Sequence, residues 1–173
     1  EDENILLLNK KAGVLSHPDE GEYVDTLITR VQRYLYEKGE YDPKAENSFA
    51  PSLANRIDRN TGGIVIAAKN AESLRILNEK IKNREMDKRY LCVIVGCPKK
   101  REETLTAYMI KDEQKNKVCV YNKPFDGGKT MITEYKVLDT RGNLSLVEVI
   151  LHTGRTHQIR AHFAHIGCPL LGD

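Results

Sequence analysis

Long apolar runs are missing from this sequence, in which uninterrupted stretches such as IVIAA and LCVIV are only as long as a β-strand. A membrane-spanning helix needs about 20 apolar residues, so we expect no association with a membrane. The acidic start, EDEN, also lacks the basic and apolar regions of a secretory signal. These absences predict a cytoplasmic protein.

Cysteine pairs are missing as well, because Cys92, Cys97, Cys119 and Cys168 lie far apart and form no CxxC motif. A chain of 173 residues can bury a hydrophobic core without covalent crosslinks. We therefore expect free thiols rather than disulfides.

A strong charge of one sign is also lacking, because 27 Lys and Arg residues are balanced by 25 Asp and Glu. The distribution is uneven: residues 1–50 carry 6 basic and 11 acidic side chains, a net charge of −5, and residues 51–173 carry a net charge of +7. The basic part includes NRIDR, MDKRY and TGRTHQIR. A surface that faces phosphates needs such clusters, although an ordinary solvated face of mixed charge explains the same counts.

Strand and helix patterns alternate along the chain, with no internal repeat and no long linker. Strands are predicted at NILLLN, GIVIAA and KRYLCVIVG, and MITEYKVLDTRGNLSLVEVILHTG predicts an antiparallel pair that turns at Arg141-Gly142-Asn143. Three helices are predicted to start near Asp25, Asn70 and Thr156. We therefore expect an α+β fold in which helices flank a mixed, largely antiparallel sheet.

The stretch ANRIDRNTGG places one carboxylate, Asp58, between Arg56 and Arg59. In an extended segment Arg56 and Asp58 share a face, so the arginine would keep the carboxylate ionised. Such a carboxylate is a nucleophile, a general base or a metal ligand in a cleft, and half of a structural ion pair elsewhere. The following Gly62 and Gly63 let the backbone approach a bulky ligand or simply make a turn. The stretch by itself leaves these alternatives open.

Three other segments bear on the role of Asp58: ILLLNKKAGVLSHP, KRYLCVIVG and LVEVILHTGRTHQIRAHFAHIGCPLLGD. Together with NRIDRNTGG they resemble, in the same order, the motifs of the RluA-type RNA pseudouridine synthases. These have the forms (H/N)R(L/I)DR-x-T-x-G, K-x-Y-x-x-x-V-x-G and TGR-(T/S)-HQ-(I/L)-R. The resemblance implies a single catalytic domain over residues 1–173 with an active-site cleft across the sheet. The chain is expected to be incomplete at its C-terminus and to lack the accessory RNA-binding domain of many relatives.

What the resemblance implies for function is the isomerisation of uridine to pseudouridine in RNA. The bond from ribose to base nitrogen breaks and the sugar is rejoined to a ring carbon, so no cofactor and no metal are expected. The target base has to leave its stack to react, which predicts base flipping. Large-subunit ribosomal RNA is the expected substrate, transfer RNA is the alternative, and the protein is expected to act as a monomer.

The resemblance also assigns roles to individual residues. Asp58 matches the catalytic aspartate and has a covalent role, with attack on the ring or on the sugar left open. Tyr90 would stack on the base and assist removal of the ring proton, Arg155 would pair with the aspartate, and Ile159 would form an apolar wall under the base. The structural alternatives are a tyrosine packed in the core, an arginine in solvent and an isoleucine that packs its helix.

The other candidate substrate contacts are basic side chains and the turn that follows the aspartate: Arg56, Arg59, Thr61, Gly62, Gly63, Lys88, Arg89 and Arg160. Two positions depart from the usual pattern. Asn55 stands where many members have histidine, and Gly62 stands where serine is common, which makes the turn more flexible.

Two other functions compete with this interpretation. The cluster of His152, His157, His162 and His165 is compatible with a metal-dependent hydrolase. On a helix, however, His157 and His162 lie about 140° apart around the axis, and no HExxH motif is present. A non-catalytic RNA-binding relative is the second alternative, which the presence of all three proposed catalytic side chains disfavours.

Overall fold

A computed structural model describes residues 1–21, 24–45, 49–112 and 117–173 of the chain. The chain divides into two units, Glu1–Glu85 and Met86–Asp173. Among the described residues, none of the helices combines the length and the apolar character that crossing a membrane requires.

The first unit contains a three-stranded sheet and two helices. Its elements are β1 (Ile5–Lys10), α1 (Leu27–Glu37), β2 (Ser52–Leu53), β3 (Gly63–Ala68) and α2 (Ala71–Lys82). The strand order is β1-β3-β2, with both pairings antiparallel. Helix α1 packs Val31 and Leu35 against Leu6 of β1 and Ala67 of β3, which forms the core of this unit.

The two helix starts of the first unit differ in how well the sequence predicted them. Asn70 is the N-cap of α2, as expected, because its side chain accepts a hydrogen bond from Ser73 N–H at 2.8 Å. The expected cap of α1, Asp25, is wrong by one residue. Thr26 is the N-cap and forms a reciprocal capping box with Thr29, whereas Asp25 pairs with Arg30.

The second unit contains a five-stranded sheet and one helix. Its elements are β4 (Arg89–Val95), β5 (Glu102–Asp112), β6 (Lys117–Tyr121), β7 (Lys129–Arg141), β8 (Leu144–Leu151) and α3 (Gln158–His165). The strand order is β4-β8-β7-β5-β6, and every pairing is antiparallel. The predicted pair β7–β8 is confirmed, with Gly142 at φ 57° in its turn.

Strands β5 and β6 were not predicted from the sequence. Charged and threonine residues break up the apolar character of β5, but Ala107 and Met109 are buried two residues apart on one face. They form a small core with Met131 of β7. The strands therefore build two antiparallel sheets among the described residues, where one largely antiparallel sheet was expected, and the α+β class is confirmed.

Helix α3 begins at Gln158, slightly later than the expected start near Thr156. Its apolar positions agree with the expectation: Phe163 is fully buried, and Ile159 and Ile166 pack against the same core. The ring of Phe163 contacts the ring of Tyr135 on β7 edge to face, with centroids 5.5 Å apart. This contact fixes α3 against the sheet of the second unit.

Candidate active site

The predicted catalytic residues belong to both units of the chain. Asp58 and the turn at residues 61–63 lie in the first unit, whereas Tyr90 and Arg155 lie in the second. The joint action of the three side chains therefore stays a prediction.

Asp58 is half-buried on the loop between β2 and β3, next to the buried side chain of Ile57. Its backbone carbonyl accepts a hydrogen bond from Thr61 N–H at 3.0 Å, which closes a turn. The neighbouring Arg56 is exposed and was expected to share an extended face with Asp58, but this segment is not a strand. The pKa of His17 is lowered by burial and by the positive charge of Arg56, which places this arginine near that histidine.

Lys10, which was not among the predicted site residues, is a cation that interacts with Asp58 within this unit. Lys10 is only 2% exposed. Its ammonium donates hydrogen bonds to the carbonyl oxygens of Val14 at 2.7 Å, Arg59 at 2.9 Å and Lys11 at 3.2 Å. Burial lowers the pKa of Lys10, and the negative charge of Asp58 opposes that lowering. The ammonium therefore joins two loops and places a positive charge near the carboxylate.

Further hydrogen bonds fix the loop on both sides of Asp58. The hydroxyl of Ser16 donates to the carbonyl oxygen of Ile57 at 3.0 Å. On the other side, Gly13 N–H donates to the carbonyl of Arg59 at 2.8 Å, and Arg59 Nε donates to the carbonyl of Gly13 at 3.2 Å. The segment NKKAGVLS thus holds the backbone on both sides of Asp58.

A signal for Lys10 was present in the sequence. Leu6, Leu8 and Lys10 alternate along β1, and this alternation places the lysine on the same face as the buried leucine. A lysine at a core-facing strand position is uncommon unless its charge is compensated. That combination distinguishes Lys10 from an ordinary surface lysine.

The turn after the aspartate leads directly into β3. Gly63 is opposite Lys10 in the sheet and has φ 143°, a conformation that side-chain-bearing residues rarely adopt. A Cβ atom at Gly62 would lie 3.6 Å from the carbonyl oxygen of Lys10, which is an ordinary contact. Backbone conformation explains Gly63, and contacts of Thr61, Gly62 and Gly63 with a substrate stay predictions.

Tyr90 and Ile159 are both half-buried in the second unit. Tyr90 lies on β4 opposite Val149 of β8, and both Tyr90 and Ile159 pack against the core that contains Ile94 and Phe163. The arrangement agrees with the structural alternative for each residue. It is also compatible with the predicted contacts to a base, because neither side chain is fully buried.

Arg155 is exposed on the loop between β8 and α3. Its Nε donates a hydrogen bond to the carbonyl oxygen of Thr130 on β7 at 3.1 Å. Its backbone N–H donates to the side-chain oxygen of Gln158, the first residue of α3, at 3.0 Å. The backbone and the guanidinium of Arg155 are therefore both anchored within the second unit.

The predicted phosphate contacts of the second unit differ in their surroundings. Arg89 Nη2 lies 3.2 Å from Asp87 Oδ2, and Arg160 Nε donates to Asp173 Oδ1 at 2.7 Å, so a phosphate would compete with these carboxylates. Lys88 is half-buried, and its Nζ would lie 3.6 Å from a Cβ atom added at Gly154. This places the Lys88 ammonium beside the loop that carries Arg155.

The clustered histidines have separate partners. His152 is exposed, and its Nε2 lies 2.8 Å from a carboxylate oxygen of Glu134, whereas His162 is buried and bonds to the hydroxyl of Thr133 at 2.9 Å. Within the described parts of the chain, no three His, Cys, Asp or Glu side chains converge as ligands of a metal ion would.

Comparison with known proteins assigns the chain to a family. A sequence profile described as RNA pseudouridylate synthase matches residues 4–165. The chain belongs to the RNA pseudouridylate synthase family. An RNA pseudouridine synthase of Chlorobaculum parvum, whose own function is uncharacterised, is 37% identical over 175 residues. That alignment covers the whole of this chain and 53% of the relative.

Two other comparisons extend this assignment. The ribosomal large subunit pseudouridine synthase D of Borreliella burgdorferi is 32% identical over 173 residues, covering the whole chain and 52% of the relative. The solved structure of human RNA pseudouridylate synthase domain containing 4 superposes with a TM-score of 0.78 at 23% identity, covering the whole chain and 66% of that protein. The expected synthase family and fold are thereby confirmed. The chain spans about half the length of the curated family members it matches.

Proposed function

We propose that this chain carries the catalytic residues of an enzyme that isomerises uridine to pseudouridine in RNA. The observation that carries this proposal is the setting of Asp58, which occupies the aspartate position of the family motif on a loop fixed on both sides. The positive charge of Lys10 lies near this carboxylate, and a carboxylate acts as a nucleophile in its ionised form.

In the proposed reaction Asp58 forms a covalent bond to the uridine, and the bond from the ribose carbon to the base nitrogen breaks. The detached base turns, and a new bond joins the ribose carbon to ring carbon 5. The proton leaves that ring carbon, the former glycosidic nitrogen gains one, and Asp58 is released. Product and substrate have the same composition, so the reaction needs no redox partner.

Tyr90 and Arg155 act on the same uridine in this proposal. The ring of Tyr90 stacks on the base and its hydroxyl assists removal of the proton from ring carbon 5, with Ile159 as an apolar wall. The guanidinium of Arg155 is the partner of the Asp58 carboxylate. Its Nε donates a hydrogen bond to the carbonyl of Thr130, and a guanidinium has four further N–H donors.

Substrate binding in this proposal requires that the uridine leaves its stack, which costs a few kcal/mol. Contacts to the RNA backbone supply part of that energy. The proposed contacts are Arg56, Arg59, Thr61, Gly62, Gly63, Lys88, Arg89 and Arg160. Salt then weakens binding, because each phosphate contact releases a bound cation.

Release of tritium from RNA labelled at uracil carbon 5 tests the activity directly. The purified protein should release tritium from the labelled RNA without added metal, and Asp58→Asn should lower the rate by a factor on the order of a thousand or more. Asp126→Asn is the matched control, because it removes the same charge from an exposed residue of the second unit. Binding of RNA without tritium release would instead identify a non-catalytic relative.

We further propose that the substrate is large-subunit ribosomal RNA, modified in the cytoplasm by a monomeric enzyme. The support for the ribosomal substrate is the name of two relatives, both ribosomal large subunit pseudouridine synthase D, each 32% identical to this chain. Pseudouridine mapping in total RNA from cells with and without the gene should show the loss of a site in that ribosomal RNA. Loss of a site in transfer RNA alone would assign the substrate to the alternative class.

A further inference from the structure

The loop that carries Arg155 has a backbone conformation that its sequence alone would not favour. His157, the last residue before α3, has φ 53° and ψ 28°, the left-handed conformation that residues other than glycine seldom adopt. Its side chain makes no capping hydrogen bond at the start of α3. Tertiary contacts have to hold such a residue in place.

Gln158 supplies those contacts through its side-chain amide. Gln158 is 3% exposed. Its Nε2 donates to the carbonyl oxygen of Ile132 at 3.0 Å and to the hydroxyl of Thr133 at 2.9 Å, and its Oε1 accepts from Thr153 at 2.8 Å and from Arg155 N–H at 3.0 Å. These four bonds use the full capacity of the amide. Because the two backbone partners are one donor and one acceptor, they also fix which way the amide points.

A buried histidine extends the hydrogen bonds beyond Gln158. The hydroxyl of Thr133, which accepts from Gln158, is also hydrogen-bonded to His162 Nδ1 at 2.9 Å. Burial lowers the pKa of His162 to about 4, which keeps its ring neutral near neutral pH. The four side chains Thr133, Thr153, Gln158 and His162 are called the Gln158 network below.

Both attachments of Arg155 lead to the same strand. The Gln158 network joins the backbone N–H of Arg155 to residues 132 and 133 of β7, and the Nε of Arg155 binds Thr130 of that strand. Strand β7 lies in the middle of its sheet, between β5 and β8. A substitution within the network would therefore shift the backbone of Arg155 relative to the Thr130 carbonyl that binds its guanidinium.

We propose that Gln158 is a positioning residue that acts through Arg155, with Thr133 and His162 as the buried support of its amide. The inference rests on the proposed function, in which Arg155 takes part in uridine isomerisation. Gln158 itself touches neither substrate nor reacting atoms. Its contribution to the rate is to hold the arginine backbone at one place, because a displacement of about 1 Å at a reacting group can cost on the order of a hundredfold in rate.

A double-mutant cycle tests whether Gln158 acts through Arg155. Gln158→Met keeps the side-chain length and removes all four hydrogen bonds, and it should slow single-turnover pseudouridine formation by about tenfold or more. In the Arg155→Ala background the same substitution should change the rate less than about twofold, because the group that it positions is gone. An equal slowing in both backgrounds would overturn the proposal.

Substitutions at Thr133 keep the test decisive if Gln158→Met does not fold. Thr133→Val keeps the shape and removes the hydroxyl, whereas Thr133→Ser keeps the hydroxyl and removes a buried methyl group. Both variants lose stability, but only Thr133→Val should slow the reaction per folded molecule. Equal rates for the two variants, after correction for the folded fraction, would show that the network serves stability alone.

A spectroscopic readout separates this proposal from the proposed function. In protein labelled with ¹⁵N-arginine, the Nε–H signal of Arg155 is identified by its loss in Arg155→Lys. Its hydrogen exchange should accelerate at least fivefold in Thr133→Val and stay close to the original rate in Thr133→Ser. Unchanged exchange in Thr133→Val would refute the positioning role even if the enzyme is active. A protein that forms no pseudouridine but shows accelerated exchange would refute the function and retain the positioning role.

Discussion

Replacement of Lys10 by methionine should destabilise the first unit and displace the loop of Asp58. Methionine has nearly the same length and apolar stem, so the substitution removes the ammonium and little else. Lys10 donates three hydrogen bonds to carbonyl oxygens, at 2.7, 2.9 and 3.2 Å, from a site that is 2% exposed. The loss is thus confined to those bonds and to the charge beside Asp58.

The size of the effect follows from two opposing terms. Hydrogen bonds to a charged group contribute about 1.5–3 kcal/mol each, so three of them contribute roughly 5–9 kcal/mol. Removing the ammonium also removes the cost of burying it, which is several kcal/mol. The carbonyl of Arg59 keeps a donor in the variant, because Gly13 N–H also binds it. We expect a net loss of about 2 kcal/mol in the free energy of unfolding, or roughly 4–8 °C in Tm.

Chemical unfolding followed by circular dichroism measures this difference, and Lys11→Met is the matched control. Lys11 is the next residue and its side chain is exposed, so the same chemical change there should alter the free energy of unfolding by less than about 0.5 kcal/mol. The rate of tritium release per folded molecule should fall for Lys10→Met and stay constant for Lys11→Met. Equal stabilities and equal rates for the two variants would refute the role assigned to Lys10.

Three other predictions concern pH, backbone conformation and thiol chemistry. Because the pKa of His162 is about 4 in the folded protein and 6.5 when unfolded, stability should fall as pH drops from 6.5 towards 4, by about 3 kcal/mol in total. In His162→Leu the free energy of unfolding should depend less on pH over this range. An unchanged dependence on pH would contradict the role given to His162. His157→Gly should raise the free energy of unfolding by up to about 1 kcal/mol, because glycine adopts the left-handed conformation without strain. Arg84→Gly should do the same at φ 60°. A lower free energy of unfolding in both variants would contradict this prediction. Thiol titration at pH 8 should modify exposed Cys97 first, because burial raises the pKa of Cys92 to about 11, and Cys97→Ser should remove the fast phase.

The sequence predicted those elements whose stabilising contacts are local or periodic. The cap at Asn70 and the apolar positions of α3 follow from spacing alone, and the structure confirms both. The cap at Thr26 was missed because Asp25 has an equally suitable side chain, and the reciprocal bonds to Thr29 decided between them. Strand β5 was missed because charged and threonine residues interrupt its apolar character, and because it pairs with β7, which lies well beyond it in the sequence. Strand β6 is only five residues long and pairs with β5 at the edge of the sheet.

Prediction of the candidate site depended on motifs rather than on local physical chemistry. Nothing in KRYLCVIVG distinguishes a tyrosine that stacks on a base from one that packs in a core, and the half-buried position of Tyr90 agrees with both. Lys10 and Gln158 were missed for a different reason. Each has a partner that lies far away in the chain, 49 residues from Lys10 and 25 residues from Gln158, and the tertiary structure brings these hydrogen-bonding atoms together.

The placement of the Asp58 carboxylate depends on the correct pairing of β1 with β3. Lys10 faces the core because it alternates with Leu6 and Leu8 along β1, in the register that places it opposite Gly63. A slip of one residue in this six-residue strand would turn the ammonium outwards and Asn9 inwards. The misaligned molecule would then lose the three bonds that join the loop after β1 to the loop that carries Asp58. An error in the register of β1 would thus misplace the Asp58 carboxylate. A molecule with this folding error would also be catalytically inactive.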